Sequence, residues 1–524
     1  MAIAEHGSNV PAAESRTHSL TARTSWLVIG KTVAFAFTIA IPMLLVRRMP
    51  QHEFGLYKQI FLIINSAVTL LPLGFGMSAF YFLPRDERHR AHTVFNIVWI
   101  TTAVAALFAA TLLLFPGLLV RLFKEPEAMA FSPWIAVLSV LLVVGSLIEV
   151  VIVANEEIRL AAVVMLLIQI SRVILMTGAA ALSGTIHAVL VAATAQGIVQ
   201  VVALLVYVSS RFPGFWSAFD GAFLRRQIGY ALPFTVAGVL YSLETDLHNY
   251  FVSNRFGAAT YAIYSIGCFQ LPLFAILAQS VGSVMIPRFS ALQREGNLRE
   301  IVFLTARAMR KLSLVYFPGY AFLLVMRREF ISALFTDRYL ASVPIFAWNL
   351  TLIPFGIFVL DPVFRAFSEH RHFQMKLHAV MLACFAVLLP LAVARFGLVG
   401  AIAVVVVLAC VSLVAGLVKV IAILDVGVTD IHLLTDVGRV GFAAVTAAVA
   451  TAFARPLTLG LPPLVALAVC GVCFGVVYAA AVAAAGVVSA DERALLANYI
   501  RRFTGRWRRP LEPTAVAVGD RVGG

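Results

Sequence analysis

The stretch WIAVLSVLLVVGSLIEVVIVA, residues 134–154, decides the fold class of this chain. It carries a single charge, Glu149, and as a helix rising 1.5 Å per residue it is about 30 Å long, which matches the hydrocarbon core of a bilayer. Roughly fourteen stretches of this kind follow one another between Trp26 and Val488 with short polar breaks. Because backbone groups in lipid must be bonded within the chain, each stretch predicts a transmembrane helix.

Composition supports this interpretation, since 61% of the 524 residues are hydrophobic, only 13% are charged, and the mean hydropathy is +0.94. A water-soluble globular domain does not have this balance. All five cysteines fall inside apolar stretches, where we expect small packing residues rather than disulfides or metal ligands. The predicted spans are 25–46, 59–83, 94–115, 134–154, 160–181, 186–208, 230–253, 261–286, 311–326, 345–364, 375–394, 398–422, 437–454 and 463–488.

Charge distribution predicts the orientation. Residues 1–24 lack the order of a cleaved signal peptide, so the first span is expected to stay. With a cytoplasmic N-terminus, the cytoplasmic loops hold more than twice as many Lys and Arg as the outer loops, chiefly in the 287–311 loop and in the tail. Both termini are therefore predicted to be cytoplasmic, in a bacterial inner membrane. The net charge of +14 is then a topology signal and an attraction to anionic lipid rather than a nucleic-acid footprint.

Internal similarity is the second large clue. Four short patterns recur in the same order, about 210 residues further along the chain. Six predicted spans separate the two members of each pair. The pairs are Phe54-Gly55-Leu56-Tyr57 with Tyr261-Ala262-Ile263-Tyr264, Pro84-Arg85 with Pro287-Arg288, Ala154-x-x-Glu157-x-Arg159 with Ala366-x-x-Glu369-x-Arg371, and Gly184-x-x-x-Ala188 with Gly397-x-x-x-Ala401.

An even shift of six spans keeps the orientation, so the halves should be parallel repeats about an axis along the membrane normal. The predicted fold is an all-α polytopic membrane protein with about 14 transmembrane helices, in two six-helix parallel-repeat lobes plus two C-terminal helices. Two lobes flanking a cavity favour an alternating-access transporter. The predicted parts are a cytoplasmic segment 1–24, an N-lobe 25–208, an interfacial linker helix 209–229, a C-lobe 230–422, two further spans in 437–488 and a basic cytoplasmic tail 489–524.

Several motifs carry a resemblance to a known family. They are Arg47-Arg48-Met49-Pro50-x-x-Glu53-Phe54-Gly55-Leu56-Tyr57, Leu73-Gly74-Phe75-Gly76-Met77 through Phe82-Leu83-Pro84, Gly257-x-x-x-Tyr261-x-x-Tyr264, and Glu329-Phe330-Ile331 to Asp337-Arg338-Tyr339. Over about residues 25–425 the chain resembles the polysaccharide-transporter branch of the multidrug/oligosaccharidyl-lipid/polysaccharide flippase superfamily, which includes O-antigen flippases. It departs from the family where Thr336-Asp337 replaces a glycine.

The resemblance implies a flippase that moves a polyprenyl-pyrophosphate-linked oligosaccharide to the outer leaflet for O-antigen lipopolysaccharide, capsule or exopolysaccharide. The implied partners are this lipid-linked substrate, membrane lipids, H⁺ or Na⁺ as coupling ion and a polysaccharide polymerase. No cofactor and no nucleic acid is predicted. A lipid II flippase and a drug/cation antiporter of the same superfamily are the alternatives. No catalytic motif or large extramembrane domain favours an enzyme such as a membrane glycosyltransferase or polymerase.

Ionisable residues at membrane depth are the candidate site residues, because each is costly unless it is paired or faces a wet cavity. Arg172 is the main candidate for binding pyrophosphate, since a guanidinium can make paired bonds to phosphate oxygens. Lys31 is the second candidate. The alternative for Arg172 is a structural bridge to Glu149 on the neighbouring span, and the alternative for Lys31 is snorkelling to the interface.

Glu149 and four further residues are predicted to bind a coupling ion or to act as a gate. Glu244 and His248 share one face of span 7, and Asp246 lies on another. Asp361 lies in span 10 at the place equivalent to Glu149, and a local pair with Arg365 that closes the cytoplasmic mouth is its other interpretation. Residues 212–228 have the apolar spacing of an amphipathic helix on the inner face.

Overall fold

The computed structural model describes residues 40–85, 89–217, 219–367, 369 and 371–487. Within these ranges the chain is helical and forms no strand, which confirms the all-α prediction. The segment 1–24, most of the first predicted span with Lys31, and the tail 489–524 lie outside the described residues.

The helices are α1 40–48, α2 Gln51–Leu70, α3 Phe75–Phe82, α4 Arg90–Leu114, α5 Gly117–Phe123, α6 Ser132–Ala154, α7 Ile158–Leu182, α8 Ile186–Arg211, α9 Gly221–Gly267, α10 Pro272–Arg294, α11 Leu298–Val325, α12 Arg327–Phe335, α13 Val343–Leu350, α14 Leu352–Phe355, α15 Asp361–Ala366, α16 Arg371–Leu424, α17 Thr435–Ala454 and α18 Pro463–Ala484. Short 3₁₀ turns follow α5 at Pro126–Phe131 and α12 at Asp337–Ser342.

Length and composition make this a polytopic membrane fold. Among the described residues, nine helices are long and apolar enough to cross a bilayer. One of these is α16, whose 54 residues contain a kink at Gly397 and overlap two predicted spans. The count of fourteen spans stays a prediction. All five cysteines lie among the described residues and are free.

The order of elements repeats along the chain. The series α4, α5, 3₁₀ turn, α6 in the N-terminal half is followed in the C-terminal half by α11, α12, 3₁₀ turn, α13 to α15. The ends correspond in sequence: α5 ends at Phe123 and α12 at Phe335, and α6 ends at Ala154 and α15 at Ala366, in each case 212 residues apart. The halves therefore share one helical pattern, as the sequence repeat predicted.

Two glycines in the repeat make the same kind of turn. Gly184 separates α7 from α8 with φ +64°, and Gly397 kinks α16 with φ +59°. A positive φ is readily accessible to glycine but strained for other residues, which explains why the recurring motif opens with glycine. A third glycine, Gly257, has φ +77° and turns α9 sharply, so that residues 258–267 run on from the kink in a new direction.

The buried cores show how the halves meet. One large core combines both halves, with Phe54 and Phe123 beside Tyr261 and Phe335. It lies toward the end of the bundle that carries α5 and α12, which we call the short-helix end. At the opposite end, where residues 211–221 connect the halves (the linker end), the cores are separate.

At the linker end, the N-terminal half packs around residues such as Phe75 and Leu147. The C-terminal half packs around Phe289 and Phe364. Helix α9 leans across, with Leu224 against the N-terminal core. The described bundle is thus joined at the short-helix end and divided at the linker end.

The prediction of an amphipathic linker helix was wrong. Helix α8 continues to Arg211, a 3₁₀ turn occupies Phe215–Ser217, and α9 begins at Gly221. Pro213 and Gly214 interrupt the helix, since Gly214 has φ +76°. Asp220 then caps α9 by accepting a hydrogen bond from the Phe223 amide at 3.0 Å. That bond to the carboxylate holds the pKa of Asp220 below its usual range.

Three predicted spans are interrupted rather than continuous. Span 59–83 is broken at residues 71–74, span 261–286 at 268–271, and span 345–364 at 356–360. Breaks at membrane depth are tolerated where they are enclosed by protein or line a cavity. The third break explains why Asp361 begins a short helix, whereas its counterpart Glu149 lies within the continuous helix α6.

Candidate functional site

A polar cavity of about 410 Å³ lies inside the C-terminal half, between α9, α13 and α16. Its wall contains both apolar and polar side chains, and the polar ones are numerous for a cavity among apolar helices. The polar lining residues are Tyr241, Glu244, Thr245, Asp246, His248, Asn249, Gln270, Asn349 and His378. The cavity therefore contains three of the residues predicted from span 7.

Glu244 is joined to a residue that the sequence analysis missed. Its Oε2 lies 2.6 Å from Nδ1 of His378 on α16, and the two side chains are only 22% and 34% exposed. The pair connects α9 to α16 across the cavity. The sequence could have indicated His378, because it lies inside predicted span 375–394, where an ionisable residue is costly without a partner.

Asp246 faces a second cavity as well as the first. It lies beside the side chains of Ser66 and Asn249, and Ser66 accepts a 2.8 Å hydrogen bond from the Tyr250 hydroxyl. The second cavity, of about 470 Å³, is lined mainly by apolar side chains of α2, α4, α5 and α9. Asp246 thus lies on the boundary between the two halves.

His248 has a structural contact. Its ring is 7% exposed, and Nδ1 lies 2.8 Å from the Tyr264 hydroxyl, across the Gly257 kink. The bond ties the two segments of α9 together. His248 also lines the cavity, so it lies between the kink and the Glu244–His378 pair.

Arg172 and Glu149 lie on α7 and α6 and are both partly buried. In the described part of the chain, no ion pair joins these two side chains. Arg172 instead lies close enough to Tyr57 of α2 to act on it electrostatically. The bridge between Arg172 and Glu149 is therefore not made in this conformation. Lys31 lies outside the described residues.

Lys58 is a membrane-depth cation that the sequence analysis missed. It follows Tyr57 on α2 and lies just outside the predicted span 59–83, so the span boundary excluded it. Its ammonium is 5.5 Å from the centre of the Phe54 ring, within range of a cation–π contact. Among the described residues, the N-terminal half thus contributes Arg172 and Lys58 as cations on apolar helices.

Asp361 forms the local pair that was considered for it. Its Oδ2 lies 2.6 Å from Nε of Arg365, one helical turn away, and its side chain is 53% exposed. An exposed pair at this spacing contributes little stability. Asp361 lies at the linker end, far along the chain from the cavity residues of α9.

Comparison with known proteins identifies the family of the chain. The sequence pattern of the family described as polysaccharide biosynthesis protein matches residues 44–344, more than half of the chain. The chain belongs to this family. It is part of the multidrug/oligosaccharidyl-lipid/polysaccharide flippase superfamily, as the motifs at 47–57 and 73–84 indicated.

A curated relative is the probable lipid II flippase MurJ of Rhizobium meliloti (strain 1021), 28% identical over 145 residues. The match spans 27% of this chain and about a quarter of the relative, 26% of its length.

Solved structures share the fold. Lipid II flippase MurJ in an inward closed conformation gives a TM-score of 0.69 at 12% identity and covers 87% of this chain and 97% of its own. A mutant of the Vibrio cholerae MATE transporter VcmN gives 0.56 at 15% identity, covering 80% and 99%. At these identities the comparison establishes a common fold.

Proposed function

We propose that the protein is a flippase that carries a polyprenyl-pyrophosphate-linked oligosaccharide from the cytoplasmic to the outer leaflet. It would work by alternating access between two lobes, 25–208 and 230–422, for the synthesis of a surface polysaccharide. Family membership supports the link to polysaccharide biosynthesis. The relatives described as flippases and transporters support transport rather than catalysis.

The observation that carries the proposal is the division of the bundle at one end. One core joins both halves at the short-helix end, whereas separate cores form at the linker end. Positive-inside counting favours a cytoplasmic linker end. A cleft open on that side is the state in which a flippase receives cargo made in the cytoplasm.

The cations of the N-terminal half suit an anionic head group. Arg172 is partly buried and has no ion pair with Glu149 among the described contacts, so its donors are not committed to that carboxylate. A guanidinium can bind phosphate oxygens through paired hydrogen bonds. We assign pyrophosphate binding to Arg172, with Lys31 as a second contact and Lys58 as an added candidate.

The Glu244–His378 pair is the candidate coupling site. Both groups are partly buried, lie on different helices and face one cavity. A proton or Na⁺ bound here would change the charge that holds α9 against α16. Asp246, at the boundary with the N-terminal half, would transmit or gate that change.

The test is loss of surface polysaccharide. Arg172→Ala should abolish it while the protein remains in the membrane, and Arg172→Lys should restore it in part, because lysine keeps the charge and loses the fork. Arg395→Ala is the matched control, since Arg395 is exposed. Wild-type polysaccharide in Arg172→Ala would remove Arg172 from the site.

Lipid II is the second candidate cargo. The matching relative is a probable lipid II flippase, and the two helices α17 and α18 follow the predicted twelve-span repeat. The two cargoes share a lipid pyrophosphate and differ in the sugar. Depleting this protein should halt surface polysaccharide export while cells keep dividing; arrest of growth with cytoplasmic lipid II would instead favour the second cargo.

A further inference from the structure

Two short helices at the short-helix end finish with backbone carbonyls that need partners. Helices α5 and α12 end at Phe123 and Phe335, and each is followed by a residue with positive φ, Lys124 at +54° and Thr336 at +76°. The last four carbonyls of a helix have no partner within the helix. In this structure, side chains from the opposite half supply partners to two carbonyls in each helix.

Arg47, at the end of α1 in the N-terminal half, reaches α12. Its Nη2 donates to the Ala333 carbonyl at 2.6 Å, and its Nη1 donates to the Leu334 carbonyl at 2.9 Å. Nη1 also donates to the Met43 carbonyl of its own helix at 2.6 Å. A positive charge at a helix C-terminus is favoured by the helix dipole.

Asn254, near the Gly257 kink of α9 in the C-terminal half, reaches α5 in the same way. Its Nδ2 donates to the Arg121 carbonyl at 3.0 Å and to the Leu122 carbonyl at 2.8 Å. Each half therefore bonds to the short helix of the other.

The two contacts occupy equivalent places in the repeat. Arg47 and Asn254 are 207 residues apart, the spacing that separates Phe54 from Tyr261. Their acceptors are equivalent too, because Ala333 follows Arg121, and Leu334 follows Leu122, by the 212 residues that separate the ends of α5 and α12.

We propose that Arg47 and Asn254 are a pair of crossed latches that hold the short-helix end of the bundle closed. Both must break when the halves separate at this end, because each links one half to the other. Once broken, the carbonyls and donors are solvated by water, so the latches bias the equilibrium without preventing opening. The proposal concerns the conformational equilibrium and is independent of the cargo.

The chain supplies matched controls. Arg48 and Arg255 are also 207 residues apart, follow the two latch residues directly, and are exposed. In the described part of the structure, neither makes a hydrogen bond to the other half. A substitution at either position changes charge at the same end of the bundle without touching a latch.

The experiment measures the distance between the halves. Spin labels on Met129→Cys and Ala341→Cys, equivalent exposed positions in the two 3₁₀ turns, report that distance by double electron–electron resonance in nanodiscs. The full chain is used, with its five native cysteines replaced by alanine. Loss of two hydrogen bonds in Asn254→Ala should raise the ratio of open to closed molecules about tenfold.

Arg47→Ala should raise the ratio at least as much, and the double variant should approach the product of the two, because the latches share no residue. Arg48→Ala and Arg255→Ala should leave it unchanged. Asn254→Asp keeps the size of the side chain but replaces the donating amide group by a carboxylate, which cannot donate to the carbonyls, so it tests the hydrogen bonds separately from packing. Wild-type distances in the latch variants, or equal shifts in the controls, would overturn the proposal; elution as folded protein in size-exclusion chromatography is required of every variant.

Discussion

Substituting Gly55 by alanine should force the short-helix end apart. Gly55 lies on α2, and a Cβ atom built there would lie 1.9 Å from the Ala258 carbonyl oxygen and 2.4 Å from its carbon. Both atoms are backbone, so no side chain can rotate away. Ordinary contact begins at about 3.4 Å, so α2 and the segment after the Gly257 kink must separate by roughly 1.5 Å.

The free-energy change follows from comparing two glycines. Gly178 lies on α7 with no heavy atom within 4 Å of a built Cβ. Both substitutions gain up to about 1 kcal/mol of helix propensity, so Gly178→Ala isolates that gain. Overpacking against rigid backbone costs on the order of 3 kcal/mol. The closed state of Gly55→Ala should then lose population by roughly two orders of magnitude relative to Gly178→Ala.

Two measurements together test this reasoning. Thermal unfolding of the purified proteins should give a lower midpoint for Gly55→Ala than for Gly178→Ala. Spin labels at the short-helix end should show longer distances in Gly55→Ala alone, because opening relieves the clash. Equal midpoints and equal distances in the two variants would refute the claim that the halves are in backbone contact there.

Two further perturbations address the C-terminal half. Glu244→Gln removes the charge opposite His378. Because a partly buried charge-assisted bond is lost, export should fall by about tenfold or more and should no longer depend on the coupling-ion gradient. An unchanged gradient dependence in vesicles would exclude this pair as the coupling site. Arg455→Ala breaks the 2.8 Å pair with Glu329 that ties the end of α17 to α12. The unfolding midpoint should fall by about one degree, as expected when roughly 1 kcal/mol is lost from a chain of this length, with the exposed Arg439 as the control position.

Long-range patterning was readable from the sequence because it depends on period and repetition. The apolar spans, the six-span shift and the turn glycines Gly184 and Gly397 all follow from local residue types. The linker was misread because apolar spacing over 212–228 favoured a helix, while Pro213 and Gly214 start a new turn. Local turn chemistry outweighed the amphipathic pattern there.

The candidate site was predicted only in part, since it depends on which helices pack together. Glu244 was found as a costly charge, yet its partner His378 is 134 residues away, and no spacing rule connects them. Lys58 was missed because a charged residue next to the end of a predicted span is normally assigned to the neighbouring loop. The contacts of Arg47 with α12 join residues 286 and 287 positions apart, and only the folded bundle brings them together.

The repeat also separates motion from chemistry. Positions that hold the halves together correspond across it, as Arg47 and Asn254 do. Apart from Glu149 and Asp361, the ionisable candidates do not. By the 213-residue spacing of Gly184 and Gly397, Arg172 corresponds to Phe385 and His378 to Met165. By the 207-residue spacing of Phe54 and Tyr261, Lys58 corresponds to Ser265.

A bundle with matched joints can rock about one axis, because both halves open and close alike. In the proposed mechanism, unmatched charges give each half its own task, with cations in the N-terminal half for an anionic lipid head and the Glu244–His378 pair in the C-terminal half for the coupling ion. If so, exchanging the joint residues, Arg47→Asn with Asn254→Arg, should preserve export far better than exchanging Arg172 with its counterpart, Arg172→Phe with Phe385→Arg. Equal loss in the two double variants would show that the symmetry has no mechanical meaning.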